Sequence, residues 1–127
     1  MKIGLAELAA SAGRQVGPSD WLTIEQERVD GFADATGSGD YLALSLTNYF
    51  LPQLLEVTGI TSGVNYGADS ARFGVAPRAG DRLRATAEIV TVTEIEGGLQ
   101  TLIRITVEVA GGHDPACVVD SVSRWLA

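Results

Sequence analysis

Between Tyr41 and Val57 the chain carries Leu42, Leu44, Leu46, Phe50, Leu51, Leu54, Leu55 and Val57, which leave little of a helix's circumference polar. A helix that is apolar nearly all round must be covered on most sides. The cover has to come from the rest of the chain, and the C-terminal half has the period of strands. Leu99, Thr101, Ile103, Ile105, Val107 and Val109 alternate with Gln100, Leu102, Arg104, Thr106 and Glu108, as in a strand with one buried face. Leu83, Ala85, Ala87 and Ile89 form a second such face. The apolar phase then passes to Val90 and Val92, so a bulge is expected near 89–90. Glu96-Gly97-Gly98-Leu99 signals a tight hairpin, and residues 111–115 a looser turn before a last strand over 116–126.

The N-terminal third supplies shorter helices. Residues 3–12 are expected to form one, ended by Gly13. Thr23 and Gln26 have capping-box spacing, and Val29, Phe32, Ala33 and Thr36 then share one helix face up to Gly37. Asp40 is placed to cap the helix expected over about 41–57, in which Pro52 makes a kink or a new turn. The fold class expected is α+β: one domain over 1–127, its antiparallel sheet curled around a long central helix in the hot-dog manner. So small a sheet leaves an open edge, and dimerisation through that edge is expected.

The formal charge of −7 argues against nucleic acid and against an anionic membrane surface, since both call for clustered Lys and Arg. A lone cysteine, Cys117, excludes an intrachain disulfide, and its apolar neighbours Ala116, Val118 and Val119 mark it as a core residue. With one Cys and one His, His113, no His/Cys metal cluster forms within the chain, and no cofactor is expected. No apolar run has membrane-spanning length, and Glu7 interrupts the only stretch resembling a signal peptide; a cytoplasmic protein is expected.

Several stretches resemble one family. Gly17-Pro18-Ser19-Asp20-Trp21-Leu22-Thr23-Ile24 is similar to the first strand of the MaoC-like (R)-specific enoyl-thioester hydratases. Asp30-Gly31-Phe32-Ala33-Asp34-Ala35-Thr36-Gly37 resembles their F-A-x-A-T-G helix end, and Tyr41-Leu42-Ala43-Leu44-Ser45-Leu46 the central helix. Gly63-Val64-Asn65-Tyr66-Gly67 and Val75-Ala76-Pro77-Arg78-Ala79-Gly80-Asp81-Arg82-Leu83 resemble the strand and the P-x-x-G-D turn beyond that helix. The resemblance implies a hot-dog dimer that binds acyl groups carried on CoA or an acyl carrier protein. It also implies an Asp and a His after the A-T-G helix end that add or remove water. Here Thr36-Gly37-Ser38-Gly39-Asp40-Tyr41-Leu42 runs almost directly into the next helix. Aligned without a gap, Ser38 stands for the Asp and Ala43 for the His; aligned on the central helix, both fall in a deletion. Either way no His is available, and ordinary hydratase activity is not expected.

The candidate catalytic residues are Asp40, Tyr41 and Asn48. The candidate substrate-binding residues are Tyr49, Asn65, Tyr66 and Arg72, the last placed by the resemblance beside a thioester tunnel. Each has a structural alternative: Asp40 as an N-cap, Asn48 and Tyr49 as packing or interface, Arg72 as a surface ion pair. Trp21 and Trp125 read as core or edge packing, and His113 as an exposed turn residue. Three functions remain. The first is a repurposed small-molecule enzyme (cyclase, isomerase or dehydratase-like lyase) acting on a bulky apolar acyl or polyketide-type substrate. The second is a non-catalytic acyl-thioester-binding partner in a heterodimer with another hot-dog subunit, and the third a thioesterase using Asp40.

Overall fold

A computed structural model describes residues 1–127. The chain opens with β1 (Lys2–Gly4), α1 (Leu5–Ala9), β2 (Gln15–Val16) and β3 (Leu22–Thr23), then α2 (Gln26–Thr36). Next come α3 (Leu42–Ser45), α4 (Thr47–Leu54), β4 (Glu56–Thr58) and the four long strands β5 (Ser62–Phe73), β6 (Arg82–Ile95), β7 (Gly98–Val109) and β8 (Cys117–Leu126). The long strands pair antiparallel in the order β6-β7-β8-β5, with β2 and β3 both on the free side of β6. A separate parallel pair joins β1 to β4. No helix is long and apolar enough to cross a membrane.

The helices lie on one face of this sheet. Phe50 and Leu54 of α4 are fully buried with Leu83, Ala85, Ala87 and Ile89 of β6 and Ile103, Ile105 and Val107 of β7. These are the inward sets that the alternation predicts. The bulge falls where expected, the register slipping between Ile89 and Thr91, after which Val92 packs against the core. The β6–β7 hairpin closes on Glu96-Gly97, where Gly97 has φ +82° and only glycine turns without strain.

Three local expectations are corrected. The central helix is shorter than 41–57: it ends at Leu54, because Glu56, Val57 and Thr58 pair with β1 instead. The same pairing draws Lys2–Gly4 into a strand and shortens the first helix to Leu5–Ala9. Thr23 caps nothing, since its backbone pairs with Arg82 in the sheet and the Ile24 N–H donates to Asp81. Gln26 turns along its own helix to Asp30.

β5 departs most from a finished fold. It is an edge strand twelve residues long, and all twelve are exposed, because α4 lies over β6 and β7 and α3 over β8, and α4 reaches β5 only through the Asn48–Asn65 hydrogen bond. An open edge of that length presents a row of unpaired backbone N–H and C=O groups.

Candidate functional site

α2 ends at Gly37, which adopts φ +88° and donates its N–H to Ala33. Residues 37–41 then carry the chain to α3, with the Asp40 N–H directed at Ser38 Oγ at 3.3 Å. Beneath this junction lies a cavity of about 540 Å³. Its walls come from α2 (Val29), the junction (Gly39, Asp40, Tyr41), the first turn of α3 (Leu42, Ala43) and the segment leaving β5 (Phe73, Gly74, Ala76, Pro77), with Ala116 ahead of β8. The size falls in the range of small-molecule sites. Two glycines and three alanines keep it open. A Cβ on Gly74 would run into the Pro115 carbonyl oxygen, so that wall depends on glycine.

Asp40 is not an N-cap. Tyr41 precedes α3 at that position, and no side chain caps the helix. The Asp40 carboxylate therefore has no partner within the chain and borders the cavity. Tyr41, 59% exposed, packs its ring on Phe73 at 5.5 Å between centroids. These two are the only proton-transfer groups in the lining, and neither Lys, Arg nor His accompanies them. A carboxylate without a cation beside it repels a free acid, so the chemistry suits an esterified acyl group.

The remaining candidates are dispersed. Asn48 and Asn65 meet each other, Asn65 Nδ2 donating to Asn48 Oδ1 at 3.3 Å, in a cleft of about 130 Å³ between α4 and β5. Tyr49 lies on the solvent side of α4 against Phe50, with the Arg28 guanidinium 5.9 Å from its ring. Tyr66 and Arg72 project from the opposite face of the sheet, away from the cavity. Tyr66 sits in a β5 bulge under the Arg124 guanidinium at 3.7 Å, and Arg72 stands beside Ser70, Arg104 and Asp120. Arg104 grips Asp120 with two hydrogen bonds, of 2.9 and 3.1 Å, and this holds the Asp120 carboxyl below the usual carboxylate range.

Cys117 is buried, and burial pushes its thiol up to about 11, so it is no nucleophile. His113 is exposed in its turn. No three His, Cys, Asp or Glu side chains are placed to hold a metal. Trp125 belongs to the core, whereas Trp21 is an edge residue flanked by Arg82 and Arg84. Phe73 as the partner of Tyr41 escapes a reading of the sequence, and so do Ser121 and Ser123 in the small cleft. The two serines carried a signal: they occupy the inward phase of a strand whose other inward members are Cys117, Val119 and Trp125.

No protein-family model matches the chain. It is 37% identical to 3-hydroxyacyl-thioester dehydratase Z of Mycobacterium tuberculosis, with 97% of this chain and 96% of that protein covered. The alignment spans 145 positions, more than the 127 residues present here, so the relative carries residues without a counterpart in this chain. Among solved structures, the (R)-hydratase of A. caviae involved in PHA biosynthesis superposes with a TM-score of 0.68 at 17% identity, over 88% of this chain and 94% of that one. A (3R)-hydroxyacyl-ACP dehydratase complex of M. tuberculosis superposes at 0.63 and 17%, over 91% and 96%. These two likenesses establish the hot-dog fold.

Proposed function

This chain belongs to the MaoC-like 3-hydroxyacyl-thioester dehydratase family, and on that footing we propose that it is a repurposed member acting on a bulky acyl thioester without the Asp–His pair. The carrying observation is the cavity at the Thr36–Leu42 junction, apolar except for Asp40 and Tyr41. We place the relative's extra residues at this junction, where their loss leaves the cavity open. The substrate is held as a thioester of CoA or an acyl carrier protein.

Asp40 is the proton acceptor in this reading. In a dehydration it takes the proton from C2 of a 3-hydroxyacyl thioester, and the C3–O bond breaks as the hydroxyl leaves as water with a proton from Tyr41. In a cyclisation it takes the proton of a distant hydroxyl, whose oxygen adds to C3 of an enoyl thioester while Tyr41 protonates C2. Both depend on the cavity holding the reacting atoms together, which supplies much of the rate when acid–base groups are few. Asn48 stands outside this cavity and has no part in the proton transfers.

The test is incubation of purified protein with a long-chain 3-hydroxyacyl thioester and its enoyl counterpart, with products identified by mass. Loss of water, or an isomer of unchanged mass, is expected. Asp40→Asn should lower the rate by about 10²-fold or more. Thioester hydrolysis that Asp40→Asn abolishes would instead establish the thioesterase.

A second reading has its own observation. The wholly exposed β5 suits an edge-to-edge partner, either a second copy of this chain or a different hot-dog subunit that supplies the acid–base residues. Tight thioester binding with no product, turned to activity by an intact dehydratase subunit, would establish the non-catalytic partner role.

A further inference from the structure

We infer that the cleft lined by Asn48, Asn65, Ser121 and Ser123 is a second subsite, which recognises a neutral hydroxyl or carbonyl group carried by the acyl chain far from its thioester. The inference rests on the proposed binding of an acyl thioester in the main cavity and names the class of substrate bound there.

Ser121 and Ser123 are 8% and 4% exposed, and both line the cleft. No hydrogen bond within the chain engages either hydroxyl, and no buried side-chain oxygen is sealed off unpaired, so both open into the cleft. Their donors and acceptors are therefore available to whatever occupies the cleft. Across the cleft, Asn48 and Asn65 use one donor and one acceptor on each other, so whichever way each amide is turned, donors and acceptors remain free. Leu51 and Trp125 complete the walls, and no titratable group is present. The ligand is therefore uncharged. Its size is bounded as well: about 130 Å³ is room for about four waters at roughly 30 Å³ each, hence for one small oxygenated unit.

The cleft shares a sheet face with the main cavity. Phe73 pairs with Cys117 at the cavity end and Asn65 with Ser123 at the cleft end. Six steps along β8 separate them, about 20 Å at roughly 3.3 Å per residue. Between the two, the inward residues of β5 are Ala68 and Ala71, both small and exposed, so β5 itself puts no bulky side chain in the way. The surface grades from apolar at Cys117 and Val119 to polar at Ser121 and Ser123. A saturated chain would leave the polar end unsatisfied, whereas an oxygenated one would match both.

The test compares hexadecanoyl-CoA with its ω-hydroxy counterpart by calorimetry on the intact protein, the Ser121→Ala/Ser123→Ala variant and Asn65→Ala. About tenfold tighter binding of the hydroxylated thioester is expected from one to two added hydrogen bonds. That preference should vanish in both variants, with hexadecanoyl-CoA bound at least as tightly as by the wild type, because the polar end it leaves unsatisfied is gone. Equal binding of the two thioesters by the wild type would overturn the subsite and leave the main cavity standing. A preference that survives in the variants, or variants that alter only the oligomeric state, would overturn it too. Failure to bind either thioester would remove the main-cavity reading along with it.

Discussion

Thr101→Val isolates one buried polar contact on which the inner sheet face depends. The Trp125 indole N–H donates to Thr101 Oγ1 at 3.0 Å, with Thr101 fully buried and Trp125 nearly so. Valine has almost the shape of threonine and cannot accept the bond. Leaving the N–H unpaired costs about 1–3 kcal/mol, and burying a methyl in place of the hydroxyl returns up to about 0.8 kcal/mol. The net expectation is a loss of about 1–2 kcal/mol. It should show as a lower urea midpoint at unchanged slope and a melting temperature down by roughly 4–10 °C. Combining it with Trp125→Phe closes a double-mutant cycle, and a coupling of about 1–2 kcal/mol is expected. Additivity within about 0.3 kcal/mol would mean that the indole is satisfied elsewhere, and would refute the assignment of this bond as a structural tie.

The other predictions concern the cavity, the outer face and the thiol. Ala76 is an exposed wall of the cavity, so Ala76→Trp should fill the space and weaken acyl-thioester binding at least tenfold in calorimetry, with the melting temperature little changed. Asp120 is held below its ordinary range by Arg104, so the bond stabilises the fold above the unfolded carboxylate's pKa. The stability difference between wild type and Asp120→Asn in urea titrations should be constant at neutral pH and shrink as pH falls through the lowered folded value. Cys117 titrates near 11 and is buried, so at pH 8 a thiol reagent should label the native protein only as fast as it opens, and label it at once in denaturant. Its contribution is complete below the unfolded thiol's pKa and is lost as pH rises toward the folded one.

Much of the sheet could be read from the sequence, because a strand with one buried face writes its geometry as period two. Leu83, Ala85, Ala87 and Ile89 face inward as their spacing requires, and the change of phase after Ile89 marked the bulge. The helix ends were harder. Val57 continues the apolar pattern of α4, yet it faces the core from a strand, and only the distant Lys2–Gly4 segment decides between the two. Thr23 and Asp40 both have a capping residue's chemistry, and sheet pairing removes the first while the tight junction leaves the second free.

The site was legible only in part for a related reason. Asp40 and Tyr41 stand out as candidates because they adjoin the family's helix end, Asn48 because a polar group on an apolar helix needs a partner, and Asn65 by its place on the strand after that helix; the first two border the cavity and the amides meet each other. Tyr66 and Arg72 come after Asn65 on the same strand, but two bulges in β5 decide which residues face the helices, and such slips leave no periodic trace. Ser121 and Ser123 look like ordinary strand residues until their phase is counted against Trp125.

The central claim is that this chain retains the fold and the acyl-thioester cavity of its family while lacking the pair that performs simple hydration. Hydration of crotonyl-CoA by the purified protein alone, monitored as the loss of enoyl absorbance beside an intact family member, tests it most directly. No turnover above the uncatalysed rate is predicted at enzyme concentrations where the control is complete. Clear turnover would contradict the account, because a short unsubstituted substrate would then be hydrated without the histidine that ordinary hydration is taken to need.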